Sequence, residues 1–159
     1  MKQYDIVSSV TVYDWEELSS EDRQLVEAAK EATRTSYSPY SHFQVGAAAL
    51  LANGVVFKGS NQENAAFPSG LCAERTTLFS ANAQYPDQPV LTLAIAAFKG
   101  EHFLQEPIPP CGGCLQVMLE VEDRFRHPIR ILLYGTDGTH VVDSVRALLP
   151  FQFVKKSML

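Results

Sequence analysis

Three cysteines fall in two short runs, Cys72-Ala73-Glu74 and Pro110-Cys111-Gly112-Gly113-Cys114. Thiolates three residues apart at a helix start face one direction, and a third from another helix start lets three sulfurs converge on one point. Thiolate is a preferred ligand of zinc, and three protein ligands leave the fourth tetrahedral position to water, as in catalytic rather than structural sites. Zinc(II) with three thiolates carries one net negative charge, which weakens its power to acidify water. Two helix N-termini offset that charge in part, and Arg75 is placed to donate hydrogen bonds to a thiolate. Glu74, two residues from Cys72, would close the site as a fourth ligand. As a proton carrier it takes a proton from water, holds it in a partly dry pocket and returns it to a ring nitrogen or a leaving amine. A C-x-x-C pair alone also suits a thioredoxin-like couple, but that chemistry needs neither Cys72 nor Glu74.

The elements that must position these residues follow from local pattern. Ser20-Glu21-Asp22-Arg23 reads as a capped helix start, and Leu25, Ala28, Ala29 and Ala32 mark an apolar face, so a helix is predicted over 20–36. Pro39 ends it, because the residue before a proline disfavours helix. Strands are predicted over 43–51 and 55–60 around Asn53-Gly54, a dipeptide suited to a tight hairpin turn. Helix is predicted over 72–83, a buried strand over 90–98, helix over 111–124 with Leu115, Met118, Leu119 and Glu122 on one face, and a strand over 129–134. Residues 139–142 add a last strand, and Asp143 is the expected cap of a short helix to Leu149. Strands alternating with helices imply crossovers, three layers, and a sheet largely parallel after its opening hairpin.

With 159 residues, 46% apolar and 19% charged, the chain is expected to form one domain spanning 1–159, with residues 1–18 an extension of no assigned role. Thirteen Lys and Arg against 18 Asp and Glu give a net charge of −5, without the cationic surplus that dominates nucleic-acid affinity. A nucleic-acid partner is therefore disfavoured. The longest apolar stretches, 45–52 and 91–98, fall short of the ~20 residues a bilayer span needs. Residues 1–10 lack a signal-peptide pattern, and an odd number of cysteines suits a reducing compartment, so a cytoplasmic location and no membrane partner are expected. No phosphate-cradling glycine motif is present, and His42, His102, His127 and His140 are isolated and read as surface or loop residues.

At the cysteine runs the sequence resembles the cytidine deaminase family, and three cysteines with a non-ligand glutamate are a signature of zinc deaminases as a class. The resemblance covers about Leu25 to Phe153 and includes Cys72-Ala73-Glu74-Arg75-Thr76, Pro110-Cys111-Gly112-Gly113-Cys114-Leu115-Gln116, Tyr40-Ser41-His42-Phe43-Gln44-Val45-Gly46-Ala47-Ala48 and Gly59-Ser60-Asn61-Gln62-Glu63-Asn64-Ala65-Ala66. It implies one Zn2+ per subunit on Cys72, Cys111 and Cys114, with Glu74 as proton shuttle. It implies that Asn61 and Glu63 hold sugar hydroxyls, Phe43 contacts the base, and the backbone of Ala73 meets the pyrimidine edge. It further implies an α/β fold of three α/β/α layers with a mixed sheet of about five strands. Subunits would form a homotetramer with shared active sites, Phe153 completing a neighbour's pocket. The implied activity is hydrolytic deamination of cytidine and deoxycytidine to uridine and deoxyuridine with release of ammonia, a step of pyrimidine salvage. Two residues depart from the family pattern: Leu115 stands where arginine is usual, and Phe67 where tyrosine is common. Two other readings keep the same site, a deaminase of another aminated pyrimidine nucleoside such as a blasticidin-type antibiotic, and a non-catalytic zinc-stabilised binding protein.

Overall fold

The computed structural model describes residues 1–158. A short strand β1 (Thr11–Tyr13) and a 3-10 turn at Trp15–Glu17 precede α1 (Ser20–Ala32). Ser19, not Ser20, caps this helix, its hydroxyl accepting the Asp22 N–H at 3.1 Å. The helix stops earlier than predicted and tightens into a 3-10 turn over Thr33–Thr35, where the Thr33 and Thr35 hydroxyls donate back to the Lys30 and Ala32 carbonyls. The hairpin of β2 (Phe43–Leu51) and β3 (Val56–Ser60) turns at Asn53-Gly54, with Gly54 at φ 84°. Then follow α2 (Ala73–Gln84), β4 (Val90–Lys99), β5 (His102–Phe103), α3 (Gly112–Phe125), β6 (Arg130–Gly135) and β7 (Gly138–Val142).

The architecture is the expected three layers around a mixed sheet, with seven strands rather than about five. The two extra strands, β1 and β5, are three and two residues long, too short to carry a periodic signal. The path order is β1-β7-β6-β4-β2-β3, with β5 paired to β4. The sheet is not largely parallel: only β4 and β6 are parallel neighbours, and the other pairings are antiparallel. Strands joined by a helix do run the same way, but β2 lies between β3 and β4, so the first crossover spans it and leaves two antiparallel contacts in place of one parallel one.

Side-chain alternation assigns the layers. Ala47, Ala49 and Leu51 of β2, Leu93 and Ile95 of β4, and Ile131 and Leu133 of β6 pack with α2 and α3. Ala48, Ala94, Ala96 and Leu132 point the other way, against Leu25, Val26 and Ala29 of α1. Of the extension of unassigned role, 1–18, residues 11–18 belong to this second face: β1 pairs with β7, Leu18 is buried, and Trp15, Phe103 and Tyr134 surround the Lys30 ammonium at 5.0–5.5 Å from their ring centres. Among the described residues no helix is long and apolar enough to cross a membrane.

Two glycines set how closely the helices approach the sheet. A Cβ on Gly46 would lie 2.1 Å from the Ala29 carbonyl oxygen, and one on Gly59 would lie 2.5 Å from Thr77 Oγ1. At Gly46 the obstacle is the backbone of α1, which cannot rotate away. Gly46→Ala is therefore expected to lower stability by about 3 kcal/mol, read as a lower urea midpoint with an unchanged denaturant slope.

The buried carboxylate of Glu122, placed by periodicity on the apolar face of α3, accepts the N–H groups of Ile129 and Val145 at 2.8 and 2.9 Å and the Ser144 hydroxyl at 3.0 Å. It ties α3 to both ends of the β6–β7 hairpin. Ser144, not Asp143, caps the following 3-10 turn, which covers only Val145–Ala147.

Candidate active site

Cys72 and Cys111 are the N-cap residues of α2 and α3, in extended backbone, and Cys114 lies in the first turn of α3. α2 follows β3, and α3 follows β4 after the two-residue return strand β5; β3 and β4 run in the same direction, and the convergence of the sulfurs places both helix N-termini at the same end of the sheet, where α/β folds bind ligands. The three Sγ atoms lie within 4.8 Å of one another, Cys72 to Cys111 at 3.8 Å and Cys111 to Cys114 at 3.4 Å. Tetrahedral zinc with Zn–S bonds of about 2.3 Å requires sulfurs about 3.8 Å apart, so the donor set fits that ion and leaves one position to fill.

The charges are arranged to hold thiolates. Hydrogen bonding from Cys114, and then from Arg75 and Cys111, brings the Cys72 thiol down to about 5 against the opposing effect of burial. Arg75 Nη2 stands 3.8 Å from Cys72 Sγ. The Cys114 thiol is pushed up by its hydrogen bond to Cys72, by burial and by the Glu74 charge. Without a cation Cys72 is favoured as thiolate and Cys114 resists ionisation, and a dication among the sulfurs would remove that resistance. Glu74, in the first turn of α2, is 4% exposed, and burial pushes its carboxyl above the ordinary range, with the Cys72 charge acting the same way.

A cavity of about 540 Å³ adjoins the cluster, lined among others by Asn61, Glu63, Phe67, Cys72 and Arg75. Asn61 follows β3 directly and is heavily engaged. Its Oδ1 accepts the Ser36 hydroxyl at 2.6 Å and the Val45 N–H at 2.8 Å, and its Nδ2 donates to the Phe43 carbonyl at 2.8 Å. Among the described residues the second N–H of the amide has no partner. Glu63 Oε2 accepts the N–H groups of Tyr40 and Ser41 at 2.9 and 3.3 Å, and its Oε1 accepts the Ser41 hydroxyl. Of about four lone-pair sites one is left, on Oε1. Among the described residues the two side chains thus leave one donor and one acceptor without a protein partner, on residues that both line the cavity.

The other predicted site residues are placed differently. Ala73 is fully buried beside Cys72, and Phe43 is half-buried against the α2–α3 side of the core, neither on the cavity wall. Phe153 is 59% exposed on the C-terminal segment, away from this chain's own cavity, its carbonyl accepting a 2.8 Å hydrogen bond from Gln116 of α3. Leu115 packs into the core with Met118 and Leu119, so the departure from arginine is absorbed as apolar burial. Phe67 is 74% exposed and meets Tyr40 edge-on at 5.6 Å on the cavity rim. Sequence reasoning missed the anchoring roles of Ser36, Ser41 and Gln116, because each bond joins positions more than twenty residues apart.

A three-layer α/β/α fold with an open three-thiolate centre at paired helix N-termini defines a zinc enzyme of the deaminase class. Residues 19–125 match the family model described as cytidine and deoxycytidylate deaminase zinc-binding region, and the chain belongs to that family. It is 38% identical to a cytidine deaminase of Halalkalibacterium halodurans over 138 residues, covering 86% of this chain and 98% of the relative. It is 33% identical to a cytidine deaminase of Sporosarcina psychrophila, covering 85% and 93%. The crystal structure of cytidine deaminase from Burkholderia pseudomallei superposes with a TM-score of 0.71 at 38% identity, over 86% of this chain and all of that one. That of cytidine deaminase from Mycobacterium tuberculosis gives 0.66 at 29% identity, over 86% and 99%.

Proposed function

We propose that the chain is a hydrolase that converts cytidine and deoxycytidine to uridine and deoxyuridine, consuming one water and releasing one ammonia. The observation that carries this reading is the open three-sulfur cluster with the buried Glu74 carboxyl two residues from Cys72, beside a cavity of nucleoside size. Cys72, Cys111 and Cys114 would hold zinc, which when bound would supply the Lewis acidity that makes water a nucleophile near neutral pH. The Glu74 carboxylate takes the proton that water gives up and delivers it to N3 of the pyrimidine, so that C4 becomes electrophilic as oxygen attacks. The Glu74 carboxylate then takes the remaining proton of that water from the hydroxyl now on C4 and passes it to the exocyclic amine, the C4–N bond breaks as the C4 carbonyl forms, and ammonia leaves. Arg75, through its contact with Cys72, offsets the negative charge of three thiolates.

On the resemblance we assign the Ala73 backbone to the pyrimidine edge and Phe43 to the base; neither lines the cavity itself, but Ala73 adjoins the lining residue Cys72 and the Phe43 carbonyl is bonded to the lining residue Asn61. Asn61 and Glu63 take one sugar hydroxyl between them, and a single hydroxyl is what ribose and deoxyribose nucleosides share on the ring, at the 3′ position. The exposed apolar rim of Tyr40, Phe67 and Leu71 supports a homotetramer in which a neighbour closes each cavity, with Phe153 of one subunit serving another. The whole chain, 1–159, acts as one such subunit in the cytoplasm, in salvage of pyrimidine nucleosides.

The test is the loss of nucleoside absorbance with each substrate, before and after chelation. Turnover of both nucleosides, abolished by the chelator and restored by zinc alone, is the expected result. A zinc-loaded chain that turns over neither overturns the reading.

A further inference from the structure

Glu63 is held by one turn of the chain. Ser38 to His42 closes on itself through the His42 N–H, which donates to the Ser38 carbonyl at 3.0 Å, with His42 in the left-handed region at φ 52°. That closure turns the Tyr40 and Ser41 N–H groups toward Glu63 Oε2. The Ser41 hydroxyl is the only side chain of the described residues bonded to Oε1, the oxygen with a lone pair to spare. The same hydroxyl oxygen accepts the Phe43 N–H at 3.1 Å. It therefore links the carboxylate at the sugar end of the cavity to the start of β2.

Resting on the functional reading above, we propose that Ser41 is a positioning residue for nucleoside binding, its hydroxyl orienting Glu63 Oε1 toward the sugar hydroxyl. Without it, Oε2 stays fixed by two backbone N–H groups while Oε1 is free to turn to solvent. A carboxylate already facing its ligand binds without losing that rotational freedom, so the effect falls on substrate affinity and not on proton transfer at the base.

The experiment compares the parent with Ser41→Ala and Ser41→Thr on deoxycytidine, and measures 2′,3′-dideoxycytidine by its Ki against cytidine. Ser41→Ala is expected to raise KM for deoxycytidine about tenfold, with kcat lowered less than about threefold, the effect of one charge-assisted hydrogen bond. Ser41→Thr, which keeps the hydroxyl, restores KM. The dideoxy compound, with no hydroxyl for Glu63 to receive, shows the same Ki in all three proteins. An unchanged KM, an equal loss on the dideoxy compound, a failure of threonine to restore, or a loss confined to kcat overturns the assignment to Ser41 while leaving the deaminase reading intact. Absence of turnover by the zinc-loaded parent overturns both.

Discussion

Glu74→Gln is expected to keep one zinc per subunit and the parental melting temperature while slowing cytidine turnover by about 10⁴-fold, the upper range for loss of a positioned general acid–base. Glutamine preserves the volume and one acceptor oxygen but cannot accept a proton from water and hand it on. The competing role for an acid in the first turn of a helix is electrostatic, worth about 0.3–1 kcal/mol. Even that is reduced here, because the side chain is 4% exposed and its carboxyl is pushed toward the neutral form by burial. A structural Glu74 thus predicts a small shift in melting and little change in rate, whereas a proton carrier predicts the reverse. Zinc content by elemental analysis, melting by calorimetry and kcat on cytidine separate them, and near-parental kcat would sink the catalytic role.

What could be read from the sequence was what local chemistry fixes. The Asn53-Gly54 turn, the Cys72 and Cys111 helix starts and the buried run 90–98 each depend on neighbours within a few residues, and each element stands within a residue or two of its expected bounds. The insertion of β2 between β3 and β4 depends on pairings such as Ala47 with Ile95, nearly fifty residues apart, and left no local trace. The site divides the same way. The sulfur trio was legible because two of its members share a helix turn and the third repeats the same cap, and the distances now join them. The web around Asn61 and Glu63 was not, since Ser36, Ser41 and Val45 contribute single hydroxyls and N–H groups that any loop could carry. Leu115 shows the limit of family analogy: the residue after the second cysteine of the pair is read by this fold as part of the α3 apolar face, with Met118 and Leu119 beside it.

Cys111→Ser is expected to move two readouts in opposite directions. Cys111 is the N-cap of α3, with no side-chain hydrogen bond to the free N–H groups of the first turn. Serine is among the best residues for that position, and supplying the missing acceptor stabilises a helix by about 1 kcal/mol. The metal-free variant should therefore melt slightly above the metal-free parent. Zinc affinity should nonetheless fall more than about 100-fold, beyond the losses seen when only a supporting partner of a ligand is removed, because a neutral hydroxyl replaces one of three thiolates. Added zinc then raises the melting temperature of the parent far more than that of the variant, and turnover disappears with the metal. Cysteine is a poor cap, so its presence at the start of both α2 and α3 costs helix stability twice, and an ion held between those two ends would offset the cost. Titration with zinc, followed by calorimetry of both proteins in the presence and absence of metal, tests this; equal zinc affinity in parent and variant would remove Cys111 from the metal site.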